Sequence, residues 1–447
     1  MSPFANVLSM VYPRRGRVPR GRLLLAAATA LCLGLATAST ATAAVFGTQG
    51  ISSRAGVSQG EVDRTIDLAA RSGAKVFRVE ANWASLEPRA QGERSTAAVL
   101  ALDRVVVGAA SRGMRTLLFV LGTPCWASSA PADVRGSCSG PGANRREVSR
   151  YRPADPSSVV PISTFLAGRY ASRLAAFQIW NEPDQANEKY WAGTDKVATY
   201  VAMTRALYGP LKQAAPKVPV LAGSFVGSNG AWLKAMYAAG IKGHYDGLAV
   251  QFYSRTLHAL RTTRAVQRAN GDRKPLWLTE FGYTSCYRRG GPAVQIDQPC
   301  VSRGAQAQGL ADVLTAIRSR PWIAAAVQYA LSDDGPGGYT FGLADVNGRL
   351  KPAYAAVRRV LTRRTRSPRR PRIRLRAVRG RVVASGTASL AELLTLRVEQ
   401  RGVLRFRATL ATDRRNRWRI VLPAALGTRG LTVRLSAGWA GRVVGRT

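Results

Sequence analysis

Short apolar runs alternate along this chain with longer segments whose apolar positions recur at helical spacing. The runs predict strands at 45–48, 75–81, 116–122, 175–182, 218–224, 247–253, 276–280 and 324–331. The segments between them predict helices at 61–72, 97–111, 160–173, 196–214, 232–239, 256–269, 305–318 and 352–362. Ser58 with Glu61 has the pattern of a capping box opening the first helix. Strands apolar along their whole length suit a parallel sheet buried on both faces. Eight strand–helix repeats in about 320 residues predict an α/β fold, a (β/α)8 TIM barrel over 44–362. The competing architecture, a doubly wound open sheet, expects a Gly-rich phosphate turn after an early strand, and none is present. Three strand-to-helix loops are long, at 123–158, 182–194 and 282–303, and such loops shape clefts.

After Thr362 the pattern changes. Residues 363–371 form a linker of arginine and proline. Short alternating runs follow at 373–376, 394–398, 403–408, 418–422 and 431–435, separated by turn signals. They predict a small C-terminal β-sandwich domain over 372–447 with arginines on its outward face.

Charge alters this picture most in the tail. The net charge of the 447-residue chain is +41, and residues 363–447 hold 22 arginines against Glu392, Glu399 and Asp413, a net +19. Such a surface suits an anionic partner, a cell-wall polymer, an acidic polysaccharide, nucleic acid or a membrane surface; the bland alternative, slightly favoured, is a solvated face in an arginine-rich protein. No aromatic-interleaved motif accompanies the charge, so nucleic acid is not an expected partner. The N-terminus has the order of an export signal: Arg14 to Arg22 basic, Leu23 to Ala36 apolar, then Ala41-Thr42-Ala43. Secretion with cleavage near Ala43 is expected, leaving no transmembrane anchor. Four cysteines then remain. Local pairs Cys125–Cys138 and Cys286–Cys300 are favoured among the three connectivities. The cysteine spacings lack C-x-x-C pairs, and His244 and His258 are not spaced to join them, so no metal or cofactor is expected.

Candidate chemistry lies where strands stop. The fourth predicted strand ends in Trp180-Asn181-Glu182-Pro183 and the seventh in Leu278-Thr279-Glu280-Phe281-Gly282, which puts two glutamates, 98 residues apart, at the carboxyl ends of barrel strands. Cleaving a glycosidic bond needs a proton for the leaving oxygen and stabilisation of positive charge at the anomeric carbon, a task for two carboxyl groups. Trp83, Trp126, Trp191 and Tyr329 are candidates to stack on sugar rings, against core or loop packing.

These motifs resemble the two signatures of clan A glycoside hydrolases, in the family 39 and family 5 branches. Phe77-Arg78-Val79 with Trp83, Leu86, Glu87 and Pro88 is similar to the clan's second-strand region, and Gly348-Arg349-Leu350-Lys351-Pro352-Ala353 to the stretch after its eighth. The resemblance covers about 45–360. It implies a retaining double displacement on a carbohydrate substrate, with Glu182 as acid/base and Glu280 as nucleophile. It also implies that Asn181 hydrogen-bonds the sugar 2-hydroxyl, that Arg78 holds Glu280 in place and that Tyr253 hydrogen-bonds Glu280. Two positions depart from the clan's pattern: Gln251-Phe252-Tyr253 stands where many members have His-x-Tyr, and Tyr329 stands near the place of a tryptophan. Gln251 joins the candidate substrate-binding residues. The rivals are a catalytically silent carbohydrate-binding barrel and an adhesion protein acting through its basic tail.

Overall fold

The computed structural model describes residues 44–50, 57–136, 145–185, 187–226, 230–253, 257, 259–286, 300–334, 339–362, 371–388, 394–410, 417–437 and 441–447. The export signal, Cys138, His258 and most of the linker lie outside the described residues.

Eight parallel strands close into a barrel in chain order: β1 (Val45–Gln49), β2 (Val76–Asn82), β3 (Arg115–Leu121), β4 (Leu174–Gln178), β5 (Val220–Val226), β6 (Gly247–Phe252), β7 (Leu276–Phe281) and β8 (Ile323–Tyr329). β1 pairs with both β2 and β8, which completes the ring. Helices fall between the strands as the periodicity predicts. The first, Gln59–Arg71, is capped by the Ser58 side chain, which accepts from the Glu61 amide. The last is Pro352–Thr362. One layer of the barrel interior is filled by Val76, Leu117, Ala176, Leu221, Ala249, Trp277, Ala325 and Val327. A larger apolar shell packs the helices around the strands.

The fourth strand departs from expectation. It leaves the ladder after Gln178 rather than running to Glu182. Trp180 and Glu182 adopt left-handed backbone, at φ 60° and 46°, which no strand can contain. The segment stays tied to β5 by Ile179 N–H to Leu221 O (2.8 Å) and Glu182 N–H to Ser224 O (2.9 Å).

The tail forms two antiparallel sheets around their own apolar core. Strands β9 (Arg374–Val378), β10 (Arg381–Thr387) and β13 (Arg417–Val421) make the first, in the order β13-β10-β9. Strands β11 (Leu394–Gln400), β12 (Val403–Leu410), β14 (Leu431–Ala437) and β15 (Gly441–Arg446) make the second, in the order β12-β11-β14-β15. β10 and β15 lie outside the predicted runs, their alternation blurred by Ser385 with Gly386 and by Gly445.

Among the described residues no helix is long and apolar enough to cross a membrane. Cys286 and Cys300 are bonded to each other. Cys125 is disulfide-bonded, and its expected partner Cys138 lies outside the described residues.

The β8 segment is folded back by a buried ion pair. Lys351 Nζ meets Asp333 Oδ1 at 2.5 Å and donates to Ser285 Oγ (2.9 Å) and Thr340 O (3.2 Å). Asp333 also accepts from the Gly342 amide, at 2.7 Å. A Cβ on Gly342 would lie 2.2 Å from the Asp333 nitrogen, so only glycine fits the crossing. Lys351→Met removes the cation facing a buried carboxylate and is expected to cost about 3–5 kcal/mol. Denaturant midpoints check this: the double variant K351M/D333N, which removes that charge as well, should be the more stable of the two.

Candidate active site

Arg78 is the hub of the barrel mouth. Val76, Arg78 and Glu80 alternate onto one face of β2, and Val76 belongs to the interior layer. Arg78 is fully buried, and a buried guanidinium needs every donor used. Its Nη1 meets Glu280 Oε1 and Gln49 Oε1, each at 2.5 Å. Its Nη2 donates to Asn181 Oδ1 (2.7 Å) and its Nε to Gln178 Oε1 (3.4 Å). Its underside lies 4.0 Å from the Phe119 ring centroid.

Glu280 reaches this network through a break in the ladder. β6 and β7 pair Val250 with Leu278, then Gln251 with Glu280, so Thr279 is an extra residue. This bulge turns Glu280 onto the face of Gln251 and Arg78, which strict alternation would have denied it. Tyr253 Oη donates to Glu280 Oε2, and Gln251 Nε2 lies 3.3 Å from Oε1. Gln251 Nε2 also donates to Asn181 Oδ1 at 2.5 Å. Arg78 has only donors, so the Asn181 oxygen faces it and the Asn181 amino group is the end left to donate to a substrate hydroxyl.

Glu182 arrives by the left-handed turn after β4 rather than by the strand itself. It is 8% exposed, and Gln185 Nε2 donates to its Oε2. Burial, reinforced by the Glu280 charge, raises its pKa well above the usual carboxylate value. Glu182 therefore keeps its proton to higher pH than an ordinary glutamate.

Aromatic rings border the pair. Tyr253, Tyr329 and Phe341 pack with centroid separations of 5.2–6.2 Å, and Tyr339 lies 5.9 Å from Phe341. Burial and the charges of Glu280 and Glu182 push the Tyr253 hydroxyl up. Tyr190, Tyr253 and Tyr329 are half-buried and retain exposed surface.

Other expected positions fall differently. Trp83 is fully buried, its indole N–H spent on Glu87 Oε2 (3.0 Å), so it has no ring face to offer a sugar and is core. Trp191 is 1% exposed and packs edge-on with Trp180 and Tyr200, which makes it core as well. Trp126 is half-buried, edge-on to Trp83, and its indole donates to Glu87 O. Asp184 caps the end of β5 by accepting from the Val226 amide. Sequence reasoning missed Gln49, Gln178, Gln185, Tyr190 and Glu80. Gln49 and Gln178 carried a readable signal, single polar residues closing apolar strands. Glu80 follows Arg78 on the interior face of β2, and its charge acts on Tyr190 together with those of Glu182 and Glu280. Among the described residues no group of His, Cys, Asp and Glu is arranged to hold a metal ion.

Residues 169–356 match the family model described as a glycosyl hydrolase catalytic core. No curated protein matches the chain by sequence. Among solved structures the chain is similar to a family 39 glycoside hydrolase from the gut symbiont Bacteroides cellulosilyticus WH2, at 15% identity and TM-score 0.52 over 84% of this chain and 79% of that one. It is also similar to the GH39 enzyme from Xanthomonas axonopodis pv. citri, at 13% identity and TM-score 0.54 over 85% and 91%. A third is the GH5_18 protein from Streptomyces cattleya in complex with Manβ1-4GlcNAc, at 19% identity and TM-score 0.51 over 73% and 83%. At these identities the structural likeness is one of fold. The matched residues run from the end of the helix before β4 into the last barrel helix and include both strand-end motifs that led us to expect such a core.

Proposed function

We propose that this protein is a retaining glycoside hydrolase that cleaves O-glycosidic bonds of a polysaccharide or oligosaccharide by double displacement. The observation that carries the reading is the contrast between the two carboxyl groups. Both are buried, but Glu280 is gripped by Arg78 and Tyr253, whereas the pKa of Glu182 is raised. Two carboxyl groups held in such different surroundings take different roles. Glu280 attacks the anomeric carbon as the bond to the leaving oxygen breaks, and the Glu182 proton passes to that oxygen. Water then attacks the glycosyl-enzyme, Glu182 takes its proton, and Glu280 leaves. The Asn181 amino group holds the 2-hydroxyl through both steps.

Glu182→Gln tests the acid/base role. Aryl glycosides with good leaving groups need little protonation, so their cleavage should fall far less than that of natural glycans. Equal loss on both substrate types would refute the assignment.

A pH profile follows from the raised Glu182 pKa. A carboxyl whose pKa is raised by folding stays protonated past the usual range and loses its proton as pH rises through the raised value. Activity on natural glycans should therefore hold above the ordinary carboxylate range and decline only as Glu182 ionises. In Glu182→Gln the alkaline limb should vanish from the profile of an activated aryl glycoside. The same sign applies to stability: the Glu182 contribution is present at low pH and lost as pH rises through its folded pKa.

The proposal includes export, supported by the basic, apolar and Ala-x-Ala order of residues 14–43. An extracellular enzyme of this kind meets its polysaccharide outside the cell.

A further inference from the structure

The second tail sheet carries a charge arrangement that packing does not explain. Strand pairing sets Arg397 of β11 directly opposite Arg407 of β12 on one side and Arg434 of β14 on the other. Their neighbours on β11, Leu396 and Val398, are buried, so the three arginines share the opposite, outward face. All three are exposed. Like charges facing each other across a ladder destabilise it, and neighbouring strands lie only about 4.8 Å apart. Glu399 relieves one of them, accepting from Arg434 Nε at 3.0 Å. Among the described residues neither Arg397 nor Arg407 has a carboxylate partner. The row is thus a line of cations with one counter-charge at its end.

We propose that this face binds an anionic, carboxylate-bearing polysaccharide along the row Arg407–Arg397–Arg434. Guanidinium groups take carboxylates in two-point contacts, so a line of three matches a chain that presents a carboxylate at successive sugars. One flanking row is hydroxyl-bearing, Thr409, Thr395 and Ser436, and the other sets Leu404, Glu399 and Thr432 side by side. The hydroxyl-bearing row exchanges hydrogen bonds with sugar hydroxyls. A nucleic acid fits less well because, among the described residues, the face offers no aromatic platform for bases. Phe406, the aromatic residue of β12, packs toward the apolar core instead. This site does not depend on the catalytic reading of the barrel.

The test is binding by the full-length protein to polygalacturonate, to a neutral glucan and to a single-stranded DNA oligonucleotide. Polygalacturonate should bind, weakening on the order of tenfold between 50 and 200 mM salt, and the neutral glucan should show no binding that depends on the arginine row. The triple variant R397S/R407S/R434S should lose at least tenfold in affinity while its Tm stays level or rises, because the repulsion is gone. R374S/R376S/R419S removes the same charge from the other sheet and should bind as the wild type does. If the first triple variant unfolds, R397S alone should still lose affinity severalfold. Equal loss in both triple variants would reduce the site to diffuse charge and overturn the proposal. So would equal, row-dependent binding of the neutral glucan, unchanged polygalacturonate binding in the R397S series, or tighter, row-dependent binding of DNA.

Discussion

Glu280→Ala is expected to lower turnover by roughly 10⁴–10⁶-fold, the scale on which loss of a covalent nucleophile is felt. The fold should persist at reduced stability, because alanine leaves the buried Arg78 without its opposing charge, the reverse of the loss in Arg78→Ala. Arg78 would then keep Gln49, Gln178 and Asn181 as acceptors. The vacated space admits a small anion beside Arg78. Added azide should therefore restore cleavage of an activated aryl glycoside and yield a glycosyl azide of inverted configuration. Comparing aryl glycoside turnover with and without azide checks both statements. A variant that keeps a tenth of its activity without azide would remove Glu280 from the nucleophile role.

Arg78→Ala should damage stability and catalysis together. The guanidinium is fully buried and joins Glu280, Asn181, Gln49 and Gln178. Without it, Glu280 is a buried carboxylate with no opposing charge, and breaking such a pair costs about 3–5 kcal/mol. Two of the acceptors left behind belong to the catalytic arrangement, so turnover should fall by several orders of magnitude. Arg78→Lys keeps the charge but cannot fork to four acceptors, and it should lie between the two. Denaturant midpoints and kcat on one substrate separate the effects. An Arg78→Ala protein as stable as the wild type would show that the network carries no folding energy.

The barrel was legible because buried parallel strands must be apolar throughout, and each is punctuated by a helix of different period. Glu280 at the end of β7 was legible too, whereas the ladder of β4 stops at Gln178, before the Glu182 and Pro183 that were read as its end. What delivers the two glutamates was not legible. Glu280 turns inward because of the bulge at Thr279, and Glu182 sits in a left-handed turn. Both are backbone events that depend on the neighbouring strand, and residue type at Thr279 or Glu182 does not announce them. Trp83 and Trp191 looked like sugar platforms because an aromatic near a strand end is the same letter whether it faces a cleft or a core. The glutamine partners of Arg78 come from β1 and β4, and only closure of the barrel brings them together. In the tail, the runs revealed arginines facing outward, but their alignment into one row is a matter of register between strands.

The central claim is that Glu280 forms a covalent bond with the sugar. The most direct measurement is intact-protein and peptide mass spectrometry after incubation with a panel of 2-deoxy-2-fluoro glycosides, matched to aryl glycosides that the enzyme cleaves. The account predicts a mass increase of one fluorosugar on the peptide carrying Glu280, absent in Glu280→Ala. Cleavage of the matching aryl glycoside with no adduct, or an adduct on another residue, would contradict it.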